Sequence, residues 1–356
     1  MNDIFNANGL PVLIGSLPLA NHEQAADLVF QHTPQIPSWV QLPIHKKEMM
    51  VPQFMTSLPG YRCEDGRIYV DTSCAGFENE LLQFYEQYMA VMDGSTDLEG
   101  SMFLLDEEAA RGFYVLLERL GAKVAAPVAV KGQVSGPFTC ATGLHDQNDR
   151  VIFYNEQLRD AVVKLLALRA KWQVRRLSQF GCPVIIFLDE PALAGFGSSE
   201  FISISHDEVD LCLNEVVAAI HEEGGLAGIH ICANTDWALV LDSTVDIVNF
   251  DAYAYFDKFI LYAERIKAFL QSGRIIAWGI VPTLNPDDLE RESPESLFDK
   301  WCLQAAEIEK LGISHDALVR QSLITPSCGA GALSPELAKK VLWLVQEVSR
   351  EIRNFA

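Results

Sequence analysis

From about residue 180 to the end of the chain, short and nearly unbroken apolar runs alternate with longer stretches whose apolar positions recur every three to four residues. The runs are 183–191 (PVIIFLDEP), 226–233 (LAGIHICA), 246–253 (DIVNFDAY), 274–282 (RIIAWGIVP) and 322–329 (SLITPSCG). Short β-rich runs of this kind predict strands buried on both faces. The stretches between and after them, 207–223, 256–272, 294–311 and 334–354, have the spacing of helices with one apolar stripe. The first half is less regular, but 11–19 (PVLIGSLPL), 38–43 (SWVQLP) and 125–137 (AAPVAVKGQVSGP) predict three further strands. Between the second and third of these lies a long insertion, 44–121, with a hairpin expected over 61–72 and helices over 78–92 and 106–121.

Eight strands alternating with helices imply a parallel sheet covered by helices, and eight such units close into a (β/α)8 TIM barrel. The expected organisation is therefore one barrel domain over 1–356, with 44–121 on its rim. The competing open, doubly wound sheet would advertise a glycine-rich phosphate turn, and neither G-x-G-x-x-G nor G-x-x-x-x-G-K-[ST] occurs.

Composition narrows the function without naming it. A hydrophobic fraction of 49% and a charged fraction of 21% describe a globular chain that can bury a sizeable core. Forty-eight acidic residues against 27 basic ones give a net charge of -21, which repels phosphate backbones and anionic lipid, so neither nucleic acid nor membrane is an expected partner. The first residues carry no basic n-region, and Gly15 and Pro18 break their apolar run, so a cytoplasmic location is expected. In that reducing compartment the eight cysteines are expected as thiols, most of them small buried apolar residues.

Active sites of such barrels gather at the carboxyl ends of the strands. Those ends read Ser16, Gln41, Gln133 and Ser135, Asp189 and Glu190, His230 and Cys232, Asp251 and Tyr253, Trp278, then Cys328. His230 and Cys232, two apart on a strand, point to one face, the barrel axis. Cys328 closes the last strand in PSCGAG, where Gly329 and Gly331 are expected to let the backbone bend sharply over the mouth. One imidazole and two thiolates suit zinc, and three protein ligands with a free position define a catalytic site rather than a structural one. Two thiolates would neutralise Zn2+, so a substrate thiol bound there would keep its nucleophilicity at neutral pH. The H-x-C spacing alone leaves a second reading open, a core histidine beside a buried cysteine.

The segment HICANTDWALVLDSTVDIVNFDAYAY (230–255) resembles the zinc-site segment of barrel methyltransferases in the group of cobalamin-independent methionine synthase and methylcobamide:coenzyme M methyltransferases, relatives of uroporphyrinogen decarboxylase. GSLP (15–18), VSGPFT (134–139), FLDEPAL (187–193) and PSCGAG (326–331) extend the resemblance over nearly the whole barrel. It implies zinc held by His230, Cys232 and Cys328, with Asp251 either a fourth ligand, a carboxylate beside the substrate or a strand cap. It implies that Asp189 and Glu190, the acidic pair of DEPAL, hold an amino acid substrate, with strand-end capping as the alternative. Glu190 and Asp251 are the catalytic candidates. Ser16, Gln133, Asp189 and Trp278 are the substrate-binding candidates, and Ser16, Gln133 and Trp278 could instead fill the barrel. The expected reaction moves a methyl group from methylfolate or a methyl-corrinoid to a zinc-activated thiol such as homocysteine or coenzyme M. The longer methionine synthases of the group carry a second, amino-terminal barrel with no counterpart in this sequence, so a separate corrinoid protein enters as an expected donor. The alternatives are a metal-free decarboxylase of the uroporphyrinogen type, which would need arginines at the mouth, and a non-catalytic zinc- or corrinoid-binding partner protein.

Overall fold

The computed structural model describes residues 5–64, 66–122, 125–197 and 201–355. Seven parallel strands form a curled, TIM-barrel-like sheet: β1 (Leu10–Pro11), β4 (Val130–Ser135), β5 (Val184–Asp189), β6 (Leu226–Ile231), β7 (Ile247–Phe250), β8 (Ile275–Val281) and β9 (Ser322–Pro326), in the order β1-β9-β8-β7-β6-β5-β4. The gap between β1 and β4 is crossed by residues 35–41, which bridge Ser16 through Gln41 and Lys131 through Ser38. Amides of Ala129 and Lys131 donate to Gln35 and Pro37 on one side, and Leu17 and Gln41 exchange bonds with Gln41 and Gly15 on the other.

The two early strands expected from the sequence, 11–19 and 38–43, are thus reduced to a two-residue strand and isolated bridges. Pro11, Pro18, Pro37 and Pro43 punctuate both runs, and a proline has no amide to give to a ladder. The later strands match the apolar runs, each ending one to three residues sooner at its carboxyl end where a helix or loop takes over. The stretch expected as one helix over 256–272 is two, α9 (Ala252–Phe259) and α10 (Ala263–Gln271), separated by a turn of 3-10 helix. The expected helices at 207–223, 294–311 and 334–354 appear as α7 (His206–Glu222), α12 (Pro294–Glu309) and α14 (Pro335–Phe355).

Residues 44–121 hold α2 (Met50–Met55), an antiparallel hairpin of β2 (Tyr61–Glu64) and β3 (Arg67–Val70), α3 (Phe77–Met92) and α4 (Arg111–Gly121). The Ser135 hydroxyl donates to the Met50 carbonyl at 2.7 Å, which seats α2 over the carboxyl end of β4. Helix α6 (Glu156–Ser178) has no single-stripe signature because it is buried on several sides, Leu158, Val162, Leu166, Trp172 and Leu177 among its covered residues. Inside the sheet an apolar floor of Leu10, Val12, Ile14, Ile185, Phe187, Ile247, Ala277 and Leu323 is separate from the larger core between strands and helices. All eight cysteines are thiols. No helix among the described residues is long and apolar enough to cross a membrane.

Candidate metal centre

The register of the parallel strands sets Ser135, Asp189, His230, Asn249 and Ala277 side by side in one row across β4 to β8. Strand alternation turns this row to the barrel interior, one level above the floor residues Phe187 and Ile247. Gly228 lies beneath His230, and the Phe187 ring takes the space a side chain there would need, 2.3 Å from a Cβ at that position.

Asn249 is fully buried and decides which nitrogen of His230 carries hydrogen. Its Nδ2 donates to the Ala277 carbonyl at 2.9 Å and to the Thr325 hydroxyl at 2.8 Å, and a carbonyl only accepts, so the amide orientation is fixed. Its Oδ1 is thereby turned onto His230 Nδ1 in a short contact and must accept from it. The remaining lone pair is on Nε2, which is buried and has no hydrogen-bond partner. His230, Cys232 and Cys328 offer ligand atoms that all lie within 4.8 Å of one another. The Cys328 thiol, hydrogen-bonded to Cys232, together with His230 holds the Cys232 thiol well below its ordinary value, against the opposing effect of burial. The same bond, with burial, pushes Cys328 well above the ordinary thiol range. Burial works to lower His230, but the Cys232 sulfur and the Asp189 charge outweigh it and hold the imidazole above its ordinary value.

This donor set fits zinc on its own chemistry: an imidazole whose neutral form is fixed by a buried amide with Nε2 bare, and two thiols, one of them held toward its thiolate. Two carboxylates share the neighbourhood. Asp189 Oδ1 is buried without a partner, and burial pushes its carboxyl up to about 6, opposed by His230 and Lys131. Asp251 accepts from the Ala254 amide at 2.8 Å and so caps α9, with its carboxyl pushed up to about 6 by burial, the Cys232 charge adding to the rise.

Cys328 is positioned through Ser16. The Gly331 amide approaches the Ser16 hydroxyl at 3.3 Å, and a Cβ on Gly329 would stand 2.1 Å from that oxygen. The backbone bends at Ser327, Cys328 and Ala330 and turns at Gly331, as expected, but neither glycine needs a positive φ for it. The glycines of PSCGAG are there for close approach to Ser16, not for backbone freedom.

Two sequence candidates lie elsewhere. Trp278 was expected at the mouth, but alternation along β8 puts Ala277 inward and Trp278 outward. It is fully buried against Phe250, Phe256 and Trp301 and donates to Ser322 at 2.9 Å, so it belongs to the core between sheet and helices. Glu190 also turns outward. Its Oε1 accepts from the Phe138 amide at 2.9 Å, and its Oε2 from the Thr139 amide and hydroxyl at 2.8 and 2.6 Å. It locks β5 to the start of α5 (Pro137–Gly143), and a Cβ on Gly136 would strike its carboxyl carbon at 2.0 Å. Burial pushes this carboxyl up to about 7, and the Thr139 and Phe138 bonds hold it from going further. The motifs VSGPFT and DEP are therefore two halves of one contact.

Gln133 faces inward but is fully engaged, donating to the Trp39 carbonyl at 3.2 Å and Gln41 at 3.4 Å and accepting from Lys131 at 3.2 Å. Lys131 and Asn249 were not singled out from the sequence. Asn249 was visible as a lone polar residue on an apolar strand, two before Asp251, and Lys131 as the first of three alternating polar residues on β4, two before Gln133. The Lys131 ammonium is fully buried, 2.6 Å from the Ile14 carbonyl and 4.7 Å from the Phe187 ring centre, and burial lowers it to about 8.

Fold and site together define a TIM-barrel-like α/β protein with a histidine-dithiol cluster at the carboxyl ends of its strands. No family model matches the sequence, and no curated protein matches it. Among solved structures, the chain is similar to a B12-independent methionine synthase from Shewanella sp. W3-18-1, determined in complex with selenomethionine. The TM-score is 0.55 and the identity 15%, over 97% of this chain and 98% of that one. At that identity the likeness establishes the fold.

Proposed function

We propose that this chain is a zinc-dependent methyltransferase that methylates a small thiol, with the ion held by His230, Cys232 and Cys328. The observation that carries this reading is the convergence of an unpartnered, tautomer-fixed imidazole nitrogen with the sulfurs of Cys232 and Cys328, ligand atoms that all lie within 4.8 Å of one another. The fold shared with a B12-independent methionine synthase supports it. A zinc ion bound there supplies a Lewis acid that lowers the pKa of an acceptor thiol.

The chain's own groups then divide the work. Asn249 keeps His230 Nε2 bare and aimed. Ser16, seated against Gly329 and Gly331, holds the loop that presents Cys328. Asp189, with an oxygen buried and unpartnered, is suited to a cationic group on the acceptor such as the ammonium of homocysteine. Asp251, tethered to α9 and raised toward neutrality, is placed to take the proton the thiol gives up. Glu190 braces α5 and acts on the site only through the shape of β5. Residues 44–121 form the rim of the mouth in this reading. An apolar cavity of about 470 Å3 lined by Met49, Met50, Val51, Pro52 and Ile68, with Lys46 and Lys47 at its edge, is where the methyl donor would lie.

The donor proposed is a separate methyl-corrinoid protein in preference to polyglutamyl methylfolate, because a net charge of -21 opposes an anionic tail. Zinc-loaded protein is mixed with homocysteine or coenzyme M and with either methylcobalamin or methyltetrahydrofolate, and the methylated thiol is followed by mass spectrometry. Turnover with methylcobalamin is expected. Turnover with the folate alone would overturn the donor assignment, and none with either donor, in protein that binds the thiol, would overturn the reaction.

A further inference from the structure

A second set of ligand-type side chains lies where α1 (His22–His32) meets the turn that follows the 35–41 segment. His22 opens α1, while His45 and Glu48 stand three apart at a turn of 3-10 helix, and the ligand atoms of the three lie within 4.8 Å of one another. The Glu48 side chain is buried. Its Oε2 accepts from the Leu42 amide at 2.8 Å and its Oε1 meets His22 Nε2 at 2.6 Å. Among the described residues no lysine or arginine pairs with this carboxylate, whose partners are the His22 ring and the Leu42 amide. The His45 ring lies nearly parallel to that of His22, centres 5.3 Å apart at 16°, so a second imidazole stands against the first with the carboxylate beside both.

The backbone around the three is already fixed. The Asn21 side chain caps α1 through the Gln24 amide at 2.8 Å, the His45 amide donates to Leu42 at 2.9 Å, and the Glu48 amide to His45 at 2.8 Å. His45 Nε2 contacts the Ala20 carbonyl at 3.1 Å, which leaves its Nδ1 for another partner. Ligands each about 2.1 Å from one ion stand roughly 3 to 4 Å apart, so a small rotation of the exposed His45 side chain brings the set together. An open cavity of about 450 Å3, bounded on its other wall by Glu107, Glu108 and Arg111, gives an ion entry and gives water room to complete its shell.

We propose that His22, His45 and Glu48 form a second divalent-metal site, taking a borderline transition ion such as Zn2+ or Co2+ through two imidazole nitrogens and one carboxylate oxygen. Its place in the fold gives it a task. The 35–41 segment closes the barrel wall through isolated bridges only, and an ion here pins the turn after it to the start of α1. Metal binding at this site therefore stiffens the least paired part of the wall.

Full-length protein stripped by chelation is titrated anaerobically with Co2+, whose bonds to thiolate give a charge-transfer band that bonds to imidazole and carboxylate lack. Wild type is expected to take two ions. The Cys232→Ser/Cys328→Ser double variant keeps one ion without the band. His45→Ala, at an exposed position, keeps the band and binds one ion fewer, and Glu48→Gln does the same if it stays folded by circular dichroism. Were the thiol cluster to bind nothing, wild type would take a single ion without the band, and its loss in His45→Ala would still support the proposal. Equal stoichiometry in wild type and His45→Ala would overturn it.

Discussion

Replacing Asn249 by leucine tests how the sheet orients His230, the proposed metal ligand. Leucine keeps the branched heavy-atom framework but removes the oxygen that accepts from His230 Nδ1 and the amide that bonds Ala277 and Thr325. Without that acceptor the imidazole is free to turn and to place its hydrogen on Nε2, the nitrogen the cluster needs bare. Loss of such an outer partner weakens metal binding about 10- to 100-fold, or about 1.4 to 2.8 kcal/mol. A separate effect on stability, about 1 to 3 kcal/mol, follows from leaving the Ala277 carbonyl and Thr325 hydroxyl unpaired in a dry interior. The two are measured apart, zinc affinity by competition with a chromophoric chelator and stability by urea denaturation of metal-free protein. Site assignment comes from a double-mutant cycle with His230→Ala. If Asn249 acts on the thiol-cluster ion only through His230, Asn249→Leu changes that affinity in the wild-type background and not in His230→Ala. Unchanged zinc affinity in folded Asn249→Leu, or equal losses in both backgrounds, would refute the reasoning.

Other outcomes follow from the same contacts. Glu190→Gln sets an amide nitrogen against one of two buried amide donors, so it should cost about 1 to 3 kcal/mol of stability by urea denaturation, with zinc affinity unchanged; a large loss of zinc at full stability would place Glu190 in the site instead. Gly329→Ala, with 2.1 Å of clearance to Ser16, should cost about 1 to 3 kcal/mol as overpacking and weaken zinc binding by moving Cys328, an effect that shortening Ser16 to glycine should relieve. Lys131 has a folded pKa of about 8, below its ordinary 10.5, so the folded state sheds its proton first. Its ionisation cost is fully present below pH 8 and disappears as pH rises to about 10.5. Lys131→Met should therefore gain on the order of 3 kcal/mol relative to wild type at pH 7 compared with pH 10.5, and a stability difference that stays constant across that window would contradict the buried-ammonium account.

The apolar runs from residue 180 onward were legible as strands because a parallel strand covered on both faces has to be apolar throughout, and β5 to β9 fall within them. The period of two along β6 turned His230 inward, whereas Cys232, expected on the same strand, lies in the bend just past its end and still comes within reach of His230. Local sequence could not decide what the strands meet across space. Whether 38–43 pairs along its length depended on prolines whose missing amides matter only opposite a partner. The direction of Trp278 and Glu190 depended on strand alternation counted from a neighbour's register, and one residue of phase separates a mouth residue from a core residue. The roles of Gly329 and Gly136 were invisible because the atoms that need their space, Ser16 and Glu190, are distant in the chain. Residue types and local period therefore determined which groups could bind metal, while only the tertiary structure, in which sheet register brings Asn249 beside His230 and the chain's first and last segments bring Ser16 against Gly329, decided which of them are held in place.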